Sequence, residues 1–154
     1  MQKINPLLCT ALILALASIG CDGGTTYEVV AATGIVLLDN KPIEGVSVTL
    51  VPQRGIKGRG GYATSASDGT FTLQSEPEVE GVVPGNYMVL FRKYAMPDGS
   101  SVPPGTSAAD ANLINQLPEI YSHPEKSPIY ATIPPTEPGG LSFELSSRPK
   151  PGRR

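Results

Sequence analysis

From Tyr27 onward the chain is a series of short apolar runs separated by turn residues, and several runs alternate with a period of two. Val46, Val48 and Leu50 alternate with Ser47 and Thr49, and Leu141, Phe143 and Leu145 alternate with Ser142 and Glu144. Successive side chains of a strand point to opposite faces, so this spacing predicts strands with one face in a core. The same reading places strands over Val29–Leu38, Tyr62–Ser65, Thr70–Leu73, Asn86–Tyr94 and Ile129–Ile133. Tyr87, Val89 and Phe91 should face inward, and Gly34 should mark a bulge or a close backbone approach. Asp39-Asn40-Lys41-Pro42 and Ser67-Asp68-Gly69 read as turns, the second as a hairpin signal. Pro52–Gly61 reads as an exposed loop and Glu76–Glu80 as a solvated acidic one. The expectation is an all-β domain of seven strands, an antiparallel β-sandwich that buries one face of each sheet.

One stretch does not fit the pattern. Ala95–Pro128 is long and weakly periodic, with one or two helical turns expected over Ala108–Leu117 and Leu113, Ile114 and Leu117 on one side. Loops of that length are usually functional or mobile, which makes 95–128 the expected partner-facing segment.

Composition supports many short strands. The 154 residues include 17 Gly and 16 Pro, which interrupt helices and populate turns. A hydrophobic share of 40% is enough to build a core, and the length suits one domain. A net charge of −2 without an internal basic stripe argues against nucleic-acid binding, which needs clustered cations to displace phosphate counterions.

The two cysteines, Cys9 and Cys21, lie in a distinct N-terminal region. Lys3 precedes an uncharged run from Leu7 to Ile19, too short for a bilayer span and suited to a signal peptide. Ser18-Ile19-Gly20-Cys21 follows, and then polar Asp22–Thr26. These residues resemble a bacterial lipoprotein signal, matching its box at Gly20 and Cys21 and departing from it at Ser18, where Leu is usual. The resemblance implies a diacylglycerol on the Cys21 sulfur, cleavage between Gly20 and Cys21, and a protein exported and held on a membrane of the cell envelope. On that division residues 1–20 are a cleaved leader, 21–26 a short tether in which Asp22–Thr26 span less than about 18 Å, 27–146 the domain, and 147–154 a basic Pro-rich tail. The domain would then contain no cysteine, hence no disulfide and no Cys-based zinc site.

Within the domain, Gly34-Ile35-Val36 and Lys41-Pro42-Ile43-Glu44-Gly45-Val46-Ser47-Val48 resemble the opening of carboxypeptidase regulatory-like domains. Thr64–Phe71 is similar to their central hairpin, and Val83-Pro84-Gly85-Asn86-Tyr87-Met88-Val89 to the strand after it. Leu117–Tyr121 with Ser127-Pro128-Ile129 resembles the closing segment of small planctomycete-type lipoproteins with this domain. The resemblance spans about residues 27–146 and implies a transthyretin-like (prealbumin-like) sandwich that serves as a non-catalytic interaction module.

Candidate chemistry is sparse. His123, the only histidine, stands beside Ser122 and Glu125, but neighbours in a Pro-bounded loop rarely converge as nucleophile, base and orienter. The transthyretin-fold hydroxyisourate hydrolases use several histidines and a C-terminal Tyr-Arg-Gly-Ser; this chain has one histidine and ends Lys150-Pro151-Gly152-Arg153-Arg154. An internal bond from Lys41 lacks an Asn in the last strand. Asp68-Gly69 and Asp98-Gly99 lack the six or more oxygen ligands of a calcium site and read as turns. No cofactor or metal is expected. With Trp absent, Tyr62, Tyr121 and Tyr130 are the residues that could stack on a sugar, which makes carbohydrate or cell-wall binding the alternative function. The tail Arg148–Arg154 reads as a solvated end.

Overall fold

Alternation decides which way each strand faces. In the computed structural model, which describes residues 27–103, 105–106 and 112–149, Val48, Leu50, Tyr87, Val89 and Phe91 are all buried to 1% exposure or less. The described residues are all-β apart from one short helix, and their two main sheets pack inner face to inner face. In order, the elements are β1 (Thr33–Leu38), β2 (Lys41–Pro42), β3 (Ser47–Pro52), β4 (Gly61–Thr64), β5 (Thr70–Thr72), β6 (Gln74–Glu76), β7 (Val79–Glu80), β8 (Gly85–Arg92), β9 (Tyr94–Ala95), β10 (Ile114–Asn115), α1 (Glu119–Ser122), β11 (Tyr130–Ile133) and β12 (Leu141–Leu145).

The larger sheet runs β11-β8-β3-β4-β6-β7 and the smaller joins β12, β1, β2 and β5, with β9 and β10 as a separate pair. Each of the seven expected strands has a counterpart. The additional β2, β6, β7, β9 and β10 are two- or three-residue pieces, too short for periodicity to reveal. Glu76–Glu80 is a hairpin tip built by β6 and β7 and turned at Glu78 with φ 68, where a plain loop was expected. One pairing departs from the antiparallel expectation: β1 and β12 run parallel, Gly34 opposite Leu141 through Leu38 opposite Leu145. The whole domain is the crossover between them.

The extended run Thr70–Glu76 serves both sheets. Its first half pairs with β1 and its second with β4, and Leu73 stands at the switch, fully buried, with its N–H on the Ala32 carbonyl. Three phenylalanines join the layers. Phe143 stacks on Phe71 at 6.0 Å and meets Phe91 of the opposite sheet edge-on at 5.1 Å. Gly34 makes the close approach its sequence position suggested, since a Cβ there would fall 2.4 Å from the Leu141 carbonyl oxygen and 2.6 Å from Phe71 Cζ.

Of the helix expected over 108–117, the described part, 112–117, is not helical. Residues 107–111 lie outside the described region, Ile114–Asn115 is strand, and the helical turn is Glu119–Ser122. Hydrogen bonds to the end of β8 decide this: the Lys93 and Leu117 N–H groups both donate to Asn115 Oδ1, and the Gln116 N–H donates to the Lys93 carbonyl. Leu113, Ile114 and Leu117 consequently share no face; Leu117 is buried and Ile114 half exposed.

Strand directions sort the loops into two ends. Tyr27–Val30, the β3–β4 loop, the β6–β7 tip and 134–140 lie at one end. The β1–β2 turn, the 65–69 turn, 93–103, 112–118 and 146–149 lie at the other.

Candidate functional site

The outer face of the larger sheet is assembled by the positions that alternate with the core. Thr49 stands opposite both Tyr62 and Leu90, and Met88 stands opposite both Val51 and Tyr130. Directly opposed residues share a face, so these six form two adjacent rows. Tyr62 is 41% exposed and Tyr130 60%; Thr49, Val51 and Met88 between them are half-buried, and Leu90 is buried. Three strand spacings and a two-residue offset put the two tyrosines about 16 Å apart. None of these side chains is charged, and at the β11 edge the Thr132 hydroxyl bonds Asn86 Oδ1 at 2.8 Å. Such a face can stack on flat, uncharged groups and bond their hydroxyls at its rim.

Tyr121 is separated from that pair. Carried by α1, it is 6% exposed and packs in the core, and its hydroxyl accepts the Ser146 N–H at 3.0 Å. Residue type grouped the three tyrosines; burial divides them.

The 95–128 segment is also divided. Ala95, Leu117, Tyr121 and Ser127 are buried, and Ser127 Oγ donates to the Val89 carbonyl at 2.6 Å. The Arg92 guanidinium donates to the Ser122 carbonyl at the end of α1. Residues 112–128 are thus docked on the sandwich, while 97–101, 103 and 105 are exposed.

Ser122, His123 and Glu125 do not converge. The Ser122 hydroxyl donates to the Glu119 carbonyl, and His123 Nδ1 accepts the Glu125 N–H at 3.3 Å. Both are local turn contacts. Lys126 pairs with Glu119 at 2.7 Å, and that hydrogen bond and charge hold the Glu119 carboxyl below its ordinary range. Asp68-Gly69 and Asp98-Gly99 form matching turns: each carboxylate accepts from the N–H and hydroxyl of the residue two ahead, Thr70 and Ser100. Those bonds lower both carboxyl pKa values. Among the described residues no group of three or more His, Cys, Asp or Glu could hold a metal ion. Lys41 is exposed at the β1–β2 hairpin.

Sequence reasoning did not single out an open cleft of about 670 Å³ where β4 parts from β5, lined by Thr33, Thr64, Thr70 and Thr72 over Ile35 and Phe71. Its signal was the polar half of the alternation around Phe71, which had been read only for its apolar half. Gly20 and Cys21 lie outside the described residues, as do Lys150–Arg154 of the tail. Among the described residues no helix is long and apolar enough to cross a membrane.

Comparison with protein-family models, curated proteins and solved structures finds no match for this chain.

Proposed function

We propose that this protein is an exported lipoprotein, anchored through a diacylglycerol on Cys21, whose domain is a non-catalytic interaction module of the cell envelope. The observation that carries the reading is the placement of the two ends. Tyr27 enters at one end of the sandwich, and the excursion, described over 96–103, leaves from the other, beyond β9. A strand as long as β8 separates them by about 25 Å. An anchor upstream of Tyr27 holds that excursion away from the bilayer, where a partner can reach it, on a scaffold that fixes its base.

The finer fold reading is a prealbumin-like sandwich of seven principal strands, related to carboxypeptidase regulatory-like domains. It is supported by where the motif residues fall. Lys41-Pro42 is the strand after the first turn, Asp68-Gly69 is the tight turn before β5, and Gly85-Asn86-Tyr87 opens β8.

The test is deletion of Pro97–Ala109, which leaves five residues to close β9 onto β10. Carrying a photo-crosslinker at Asn112, the anchored variant should keep its thermal transition and lose the discrete adducts that the same crosslinker gives in the undeleted protein in intact envelopes. Unchanged adducts from a crosslinker at Asn112 in the deleted protein would contradict the reading.

A second reading, carbohydrate or cell-wall binding, is favoured by one observation: Tyr62 and Tyr130 are exposed on the same sheet face, in two rows that hold no charged side chain. Its site is that face and excludes Tyr121.

A further inference from the structure

The β3–β4 loop carries Arg54, Lys57 and Arg59, all exposed. Among the described residues the one salt bridge joins Lys126 to Glu119, so none of these three cations is paired with a described carboxylate. The loop is nonetheless pinned. Ile56 turns in against the core, so close to Gly85 that a Cβ there would meet Ile56 Cδ1 at 2.6 Å. The Gln53 N–H donates to the Asn86 carbonyl, and the Ile56 N–H donates to the Gln53 carbonyl. With its apolar residue held inside, the loop presents three cations to solvent. Tyr27, the first described residue, lies against this loop: a Cβ on Gly58 would sit 3.6 Å from Tyr27 Cδ2. Tyr27 is 37% exposed. The chain coming from Cys21 therefore meets the domain at its basic loop.

We infer that Arg54, Lys57 and Arg59 form a membrane-facing patch that docks on anionic lipid headgroups and sets the tilt of the domain on the bilayer. The inference rests on the lipid-anchor reading, which brings the loop to the surface. The six residue-to-residue steps from Cys21 to Tyr27 reach about 20 Å, and attraction to an anionic surface acts within a Debye length of about 8 Å. Cations near such a surface each strengthen residence about five-fold. Tyr27 has the amphipathic ring that settles at headgroup depth. The same end also carries carboxylates: Glu28 beside Tyr27, Glu76, Glu78 and Glu80 on the β6–β7 hairpin, and Glu137. The hairpin occupies the edge of the sheet and the basic loop its middle. The hairpin and the loop therefore act in the same rotational sense, the hairpin tipping away from an anionic surface as the loop tips toward it, while Glu137 alone follows β11 at the other edge and opposes them.

The test uses the protein extracted from membranes, with its intact mass recorded, placed in vesicles of phosphatidylcholine alone or mixed with phosphatidylglycerol. Amide exchange over residues 53–60 should slow at least about five-fold on the mixed vesicles, with exchange over 98–102 unchanged. High salt should erase the difference. The R54Q/K57Q/R59Q variant should exchange alike on both vesicles while keeping the parent's thermal transition. Lipid mass on Cys21 with equal exchange on both vesicles overturns this inference alone. Absence of lipid mass overturns the anchor reading and this inference with it.

Discussion

The Tyr87 hydroxyl donates a 2.6 Å hydrogen bond to the carbonyl oxygen of Val83, four residues earlier, and so ties the start of β8 to the corner that precedes it. The side chain is fully buried, and burial pushes the phenol pKa up, so the donor keeps its proton across the neutral range. Tyr87→Phe keeps the ring and leaves the Val83 carbonyl without this partner. Urea denaturation should show a loss of about 1–2 kcal/mol; a stability equal to the parent's would show that the corner does not depend on the bond.

Gly34 sits where β1, β5 and β12 meet. The Cβ of Gly34→Ala would lie 2.4 Å from a backbone oxygen and 2.6 Å from a core ring, neither of which can move freely. Overpacking of this kind costs about 2–3 kcal/mol. The urea midpoint should fall accordingly with an unchanged slope, and a silent substitution would contradict the described packing of the two sheets.

The twin turns set an acid limit. In the folded state Asp68 and Asp98 titrate below their ordinary 3.8 because Thr70 and Ser100 donate to their carboxylates. The unfolded chain binds protons more readily than the fold does, so this contribution is complete above the ordinary value and is lost as pH falls through the lower folded one. Carboxyl NMR should place both midpoints below 3.8. Thr70→Val should raise the Asp68 midpoint and leave that of Asp98 where it was; no movement of Asp68 would remove the hydroxyl as the cause.

The tyrosines should separate by role. Tyr62→Ala and Tyr130→Ala each change stability by no more than about 0.5 kcal/mol, as exposed sites do, and each weakens any glycan the outer face holds on an array. Tyr121→Ala should cost about 3–5 kcal/mol through the cavity it leaves. An array pattern unchanged by both exposed substitutions would remove the sheet face as a sugar site.

Legibility in the sequence followed the physics of burial. Val48, Leu50, Tyr87, Val89, Phe91 and Phe143 announce their faces because a half-buried strand must alternate, and all six lie inside. The β9–β10 pairing was not legible, since it sets two-residue strands, Ile114 opposite Ala95 and Asn115 opposite Tyr94, far apart in sequence, and is braced by the Lys93 N–H donating to Asn115 Oδ1, 22 residues away. Tyr121 was grouped with the surface tyrosines because nothing local marks α1 as docked; its burial comes from contacts at the far end of the chain, where Ser146 bonds its hydroxyl. The charge of the β3–β4 loop was visible as composition. Its place beside Tyr27 needed the strand directions.

The central claim is the anchor. The most direct measurement is the intact mass of the protein extracted from membranes, compared with a Cys21→Ala variant. The account predicts a chain beginning at Cys21 with diacylglycerol mass that the variant lacks. A chain cut near residue 21 without lipid, or one that retains its first 20 residues, would contradict it.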